Sequence, residues 1–210
     1  KKRAYHQILA EYYEAKATGK KNFAYLPMTI HHYEKCHNLV KVYQYKIAYL
    51  KEYYTIVNEN FPVLHWEMEY GDDNQELSFQ ADEILRLAEE VIRFEGDSHQ
   101  LQEMKMEMYY VKGRFDIAIG EYETGLANIK ASEAIAETLN DNKARLNNYK
   151  QMIFYGIQIE NLLLVKKYVK EGMKLIDETD TDEKGIFMRL KGWYLLHEGR
   201  YEEARALLTQ

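Results

Sequence analysis

The chain has 210 residues, 46% of them hydrophobic, with a formal net charge of -6 and a pI near 5.7; it is long enough for a well-buried domain or a short repeat array and too apolar to be mainly disordered. The acidic balance argues against this segment gripping nucleic acid directly. Apolar runs such as NLLLV, Asn161 to Val165, are too short to cross a bilayer and the N-terminus has no signal-peptide core, while a lone cysteine, Cys36, excludes an internal disulfide, so a cytoplasmic protein with no membrane partner is expected.

Two prolines, Pro27 and Pro62, interrupt a chain that otherwise reads with a helical period, so the fold class is all-α. In HHYEKCH, His31 to His37, His32 and Cys36 fall one turn apart, a spacing able to hold a transition metal with His31 or His37 nearby. The stretch lacks a His-Glu-x-x-His order and a second ligand cluster, so polar, half-buried helix positions are the preferred reading and no metal is expected. Tyr45, Tyr49 and Tyr53 recur every four residues as an aromatic ridge, read as core packing in preference to a ligand groove. GDDNQ at Gly71 is a polar break, acidic but without calcium-loop spacing.

ADEILRLAEEVIRF places Ile84, Leu87, Ala88, Val91 and Phe94 on one stripe and so predicts a helix that buries that face. Helix starts are expected at Asp97, with Gln100 three residues on, and at Asp180, with Glu183 three residues on, each pair capping reciprocally. LNDNK at Leu139 is a further break between helices.

KGRFDIAIGEYETGL, Lys112 to Leu126, returns in outline as KGWYLLHEGRYEEARAL, Lys191 to Leu207. In each, Lys-Gly is followed seven residues after the glycine by Gly-x-Tyr, and a small residue, Gly125 or Ala204, comes three residues after the tyrosine. A helix hairpin accounts for the pattern. Mid-helix Gly113 and Gly192 cost about 1 kcal/mol relative to alanine and so imply a close neighbouring helix. Gly120 and Gly199 end the first helix in a left-handed turn. Tyr122 and Tyr201 would fill the space between the paired helices, and Gly125 and Ala204 would admit the second helix. A weaker copy puts Leu162 forty residues after Tyr122 and thirty-nine before Tyr201, with Val165 at the small-residue position.

This glycine, tyrosine and small-residue pattern over Glu103 to Gln210 resembles the tetratricopeptide repeat, stretched to about 40 residues from the family's 34. The usual early tryptophan is missing, and Lys112 and Lys191 stand where leucine is common. In repeat length and composition the chain is also similar to the sensor domains of Gram-positive peptide-pheromone receptors of the Rap, Rgg and PlcR type. The resemblance implies a right-handed superhelical array of antiparallel helix hairpins whose concave face holds a short signalling peptide, often in a dimer. In those proteins the array is joined to a helix-turn-helix or to a helical module that engages a response regulator.

Residues 1–100 are expected to form degenerate helical hairpins and 101–210 the tetratricopeptide-like repeats, in one continuous domain. The sequence begins KKRAY and stops at EEARALLTQ, partway through the second helix of a repeat, so a fragment of a longer regulator, transcriptional in kind by this resemblance, is expected. No helix-turn-helix, glycine-rich phosphate loop or Gly-x-Ser-x-Gly elbow is present, so neither an enzyme nor a cofactor is expected. Family positions on the first helix of each pair put Tyr110 and Arg114, then Asn147, Lys150, Phe154 and Gln158, then Arg189, Trp193 and His197 along a peptide groove. Asn and Gln would pair with peptide amides, Arg and Lys with a carboxylate, and the aromatics would cover side chains. Each has a plain alternative, Lys150 and Arg189 as surface charges and Phe154 and Trp193 as core. Two other functions stay open, a passive protein scaffold and a Rap-like response-regulator phosphatase module.

Overall fold

The computed structural model describes residues 1–17, 23–57, 80–95, 98–177 and 179–208, with backbone alone at 23 and 53–57. Among them every regular element is helical: α1 (Lys2–Lys16), a 3-10 turn (Phe23–Tyr25), α2 (Leu26–Lys35), α3 (Leu39–Val57), α4 (Ala81–Glu95), α5 (His99–Ala118), α6 (Tyr122–Thr138), α7 (Asn142–Gln158), α8 (Leu162–Leu175), α9 (Thr181–His197) and α10 (Tyr201–Leu208). The chain divides into two compact units, 1–128 and 129–210. The break at GDDNQ and the side chain of Tyr53 lie outside the described residues.

One turn is used repeatedly. His37, Asn140 and Glu160, together with Gly120 and Gly199, have positive φ between 56° and 92°. Each of the five donates its N–H to the carbonyl three residues back, and the next residue donates to the carbonyl five back, as in Asn161 to Gly156 at 2.7 Å. This is the Schellman closure, which satisfies the last carbonyls of one helix in a left-handed turn. At three of these sites the following residue also caps the next helix. Asn38 accepts from the Lys41 N–H, Asp141 from Ala144 and Asn161 from Leu164. One helix therefore stops and the next starts on adjacent residues.

In unit 1–128, α1 packs on α2, α2 on α3, and α3 on both α4 and α5. Ala10, Ile30, Tyr33, Cys36 and Val42 form one buried cluster, with Tyr43 and Tyr45 against it. Tyr49 is fully buried, while Tyr45 stacks on Tyr33 with ring centroids 5.9 Å apart. On α4 the buried side chains are Ala81, Ile84, Leu85 and Ala88. Phe94, expected on that stripe, is 84% exposed; the buried stripe starts a turn earlier and has run out before the helix's last residues. The α5 cap is Ser98, whose hydroxyl accepts from the Leu101 N–H at 3.3 Å, and the expected cap Asp97 lies outside the described residues. Gly125 packs so closely that a Cβ there would lie 2.8 Å from the Gly113 carbonyl oxygen.

In unit 129–210, α7 packs on α8, α8 on α9 and α9 on α10. Their core joins Leu146, Tyr149 and Ile153 of α7 to Val165 and Val169 of α8, Phe187, Leu190, Tyr194 and Leu195 of α9, and Ala204 of α10. The positions of Val165 and Ala204 are closed, both at 0% exposure. Tyr122 and Tyr201 instead are 41% and 66% exposed. As the first residues of α6 and α10, they sit beside the turn, before the helix has entered its packed seam.

Asp180 caps α9 as expected, accepting from the Glu183 N–H at 3.1 Å. The Glu183 carboxylate does not return to the cap, because Lys150 of α7 takes it at 2.8 Å.

Candidate functional site

The nine groove residues fall in different surroundings. Tyr110 and Arg114 lie one turn apart on α5, where the pattern of the helix turns both inward and leaves them 6% and 3% exposed. Arg114 Nη1 donates to the Tyr110 hydroxyl at 3.3 Å, and its guanidinium lies 5.7 Å from the Tyr110 ring centre. Lys51, also 5.7 Å from that ring, pairs with Glu107 at 2.7 Å. These two candidates therefore belong to the interior polar network of their unit, not to an open face.

The other seven are on α7 and α9. Asn147 is half-buried and Gln158 exposed in the last turn of α7. Phe154 of α7 and Trp193 of α9 are half-buried and pack against the edge of the same core. Arg189 and His197 are exposed on α9. The His197 ring stacks on the Trp193 indole with centroids 3.9 Å apart, and its Nδ1–H donates to the Trp193 carbonyl at 2.8 Å. That bond places a proton on Nδ1 and holds the ring against the indole.

Lys150 is the exception among the seven. Its ammonium and the Glu183 carboxylate bridge α7 and α9 with side chains only 17% and 16% exposed. It is a strut between the two helices, and removing either partner would strand the other's charge. Sequence reasoning missed Glu183 because a capping role explained it locally; a partner 33 residues away leaves no periodic signal.

A second polar group sits behind this face. Asn148, 1% exposed, donates from Nδ2 to Ser132 Oγ at 3.2 Å and to the Ala144 carbonyl at 3.0 Å. Arg145 holds Glu133 and Glu137 at 3.3 and 3.1 Å and donates to the Tyr149 hydroxyl at 3.1 Å. These bonds join α6 to α7 within unit 129–210 and fix the rotation of α7 about its axis.

No metal centre forms around His32: among the described residues there is no group of three or more His, Cys, Asp or Glu side chains placed to hold an ion. His32 stacks on Tyr13, and Cys36 Sγ donates to Gln7 Oε1 at 3.2 Å. A cleft of about 670 Å³ lies by Arg3, Gln7, Cys36 and Asn38 in unit 1–128 and contains none of the groove candidates. Among the described residues no helix is long and apolar enough to cross a membrane.

No family model matches the chain, and neither the curated proteins nor the solved structures yield a match. α7 and α9 carry two aromatic surfaces, two carboxamides, a guanidinium and an imidazole on helices braced by an ion pair.

Proposed function

We propose that unit 129–210 is the ligand-sensing part of a regulatory protein and takes a short peptide along the face formed by α7 and α9. The observation that carries this reading is the half-exposure of Phe154 and Trp193 at the rim of the core, with Asn147, Gln158, Arg189 and His197 set around them. Aromatic side chains offer apolar area at small entropic cost, and carboxamides satisfy both the N–H and the C=O of an extended backbone. Arg189 supplies a fork for a carboxylate.

In this reading the helix pairs continue as a tetratricopeptide-like, right-handed array. The peptide stabilises one arrangement of α7 against α9 and thereby changes what an attached effector does. Lys150 and Glu183 hold the spacing between the helices, and do not bind the ligand themselves. The ligand is a hydrophobic peptide of roughly five to ten residues, the length that a face of this size covers.

The chain has two tryptophans, Trp66 and Trp193, so a Trp66→Phe background makes Trp193 fluorescence a local reporter. Peptide titration should quench or shift that emission. Arg189→Ala and Asn147→Ala should each weaken binding roughly tenfold while the melting temperature holds, since water satisfies both groups in the empty site. Binding confined to a folded partner protein, or early melting of both variants, would refute the peptide reading.

A further inference from the structure

At the other end of the chain, α1 and α2 bring together histidines that the peptide reading does not use. His6 Nδ1 and His32 Nδ1 are 2.9 Å apart. The His32 ring is 7% exposed, stacked on Tyr13 at 5.6 Å with an 11° interplanar angle, and His31 stands edge-on 5.1 Å away. Tyr5 also meets the His6 ring, at 5.9 Å. The groups facing the pair are thus Tyr5 and Tyr13 from α1 and His31 from α2, with Tyr25 of the 3-10 turn behind Tyr13 at 6.4 Å. Among the described residues no carboxylate pairs with either ring.

Two imidazole nitrogens at hydrogen-bond distance need one proton between them, with one ring donating and the other accepting. One further proton can enter at the bare Nε2 of the donating ring and leave an imidazolium–imidazole bond; the next has to enter at the accepting Nδ1, which sets two N–H groups and two positive charges against each other. We propose that the His6–His32 pair is an acid-operated latch that holds the N-terminal half of α1 on α2 and keeps Cys36 covered. Cys36 is 2% exposed, with its thiol bonded to Gln7 and its carbonyl accepting from Arg3 Nε at 2.7 Å, both residues of α1. Lifting this half of the helix uncovers the thiol.

The far half of α1 is held differently. Glu14 accepts from Lys41 Nζ at 2.8 Å, from the Tyr45 hydroxyl at 2.5 Å and from the Tyr33 hydroxyl. Burial favours the protonated carboxyl there, but these donors outweigh it and hold the group below the usual carboxylate range. The second anchor therefore survives acidification that opens the first. Burial lowers the affinity of His32 for a proton, and the neighbouring His31 and His6 charges lower it further. The docked state then binds fewer protons than the lifted one, so docking is at full strength above about pH 6.5 and weakens as pH falls below it.

Cys36 is the single cysteine of the chain, which makes its labelling by 4,4′-dithiodipyridine a clean readout. The rate, divided by that of the denatured chain at the same pH, should rise roughly tenfold or more between about pH 7.5 and pH 5, with far-UV circular dichroism unchanged. His32→Gln removes the buried ring and should reduce the step to less than about twofold, while His6→Gln, which leaves burial and His31 acting on His32, should reduce it in part. Amide exchange in the wild type, corrected for intrinsic rates, should show protection weakened across Tyr5 to Ala10 and kept near Glu14. A flat wild-type profile, a full step in a folded His32→Gln or His6→Gln, or opening that coincides with loss of helix overturns the latch. Zinc that raises the wild-type melting temperature but not that of His6→Gln would make the pair a metal site and also overturn it.

Discussion

Gly172 of α8 faces the ring of Phe187 of α9 so closely that a Cβ on it would lie 2.0 Å from Phe187 Cε1. Phe187 is fully buried and ringed by core side chains, so the ring has nowhere to withdraw. Gly172→Ala is expected to lower stability by about 1–3 kcal/mol, as overpacking does, despite alanine's better helix propensity. Gly192→Ala should cost under about 1 kcal/mol, because its Cβ would meet only the flexible end of Leu208, itself 51% exposed. Urea unfolding of the two variants side by side checks the contrast.

Glu160 occupies a left-handed turn position with φ 57°, a conformation costing a side-chain-bearing residue on the order of 1 kcal/mol. Glu160→Gly should therefore stabilise the protein by several tenths to about 1 kcal/mol. Asn161→Ala, one residue on, should cost about 1 kcal/mol by removing the cap on the Leu164 N–H. Opposite shifts in melting temperature from adjacent substitutions are the expected signature.

The carboxylate of Glu14 supports α1 only while ionised. Its folded-state pKa is depressed, by the donors that outweigh its burial, so its contribution is complete above about pH 4.3 and is lost as pH falls through the lower folded value. Glu14→Gln should be less stable than wild type at neutral pH, and the difference should fade between about pH 4.3 and pH 2. A pH series of melting curves measures it.

Asp116 has the opposite sign. Burial raises its pKa, the hydrogen bond from Asn128 at 2.8 Å offsetting only part of the effect. Stability is then lost as pH rises through the folded value and the buried carboxyl ionises. Asp116→Asn should raise the melting temperature at neutral pH, with the gain vanishing below about pH 3.9.

The helical class was readable because glycine, asparagine and acidic caps mark the ends of α5 to α10 and the 3.6-residue period fills the spans between them. Gly120 and Gly199 announced left-handed turns, while Glu160 and His37 adopt the same conformation with side chains that give no such notice. Tyr122 and Tyr201 misled because a family pattern places an aromatic between helices, and here the position lies at the exposed start of the second helix. Of the groove candidates, the spacing that puts Asn147, Phe154 and Gln158 near one another on α7, and Arg189, Trp193 and His197 on α9, follows from helix phase. The burial of Tyr110 and Arg114 depends on what α3 and α4 bring against α5, and the pairing of Lys150 with Glu183 on distant segments meeting; neither is written into local sequence.

The fused stop-and-start turns fix helix length as an angular setting. α7 spans 17 residues between two such turns, and one residue more or less in it would rotate everything beyond it by about 100°. An insertion before Asn148 would take it from Ser132, and one after Lys150 would take it from Glu183. α8 ends differently, on Ile176, an extended residue with ψ 128°. Lineages of this chain should therefore change length after α8 or by whole hairpins, and hold the length of α7 constant.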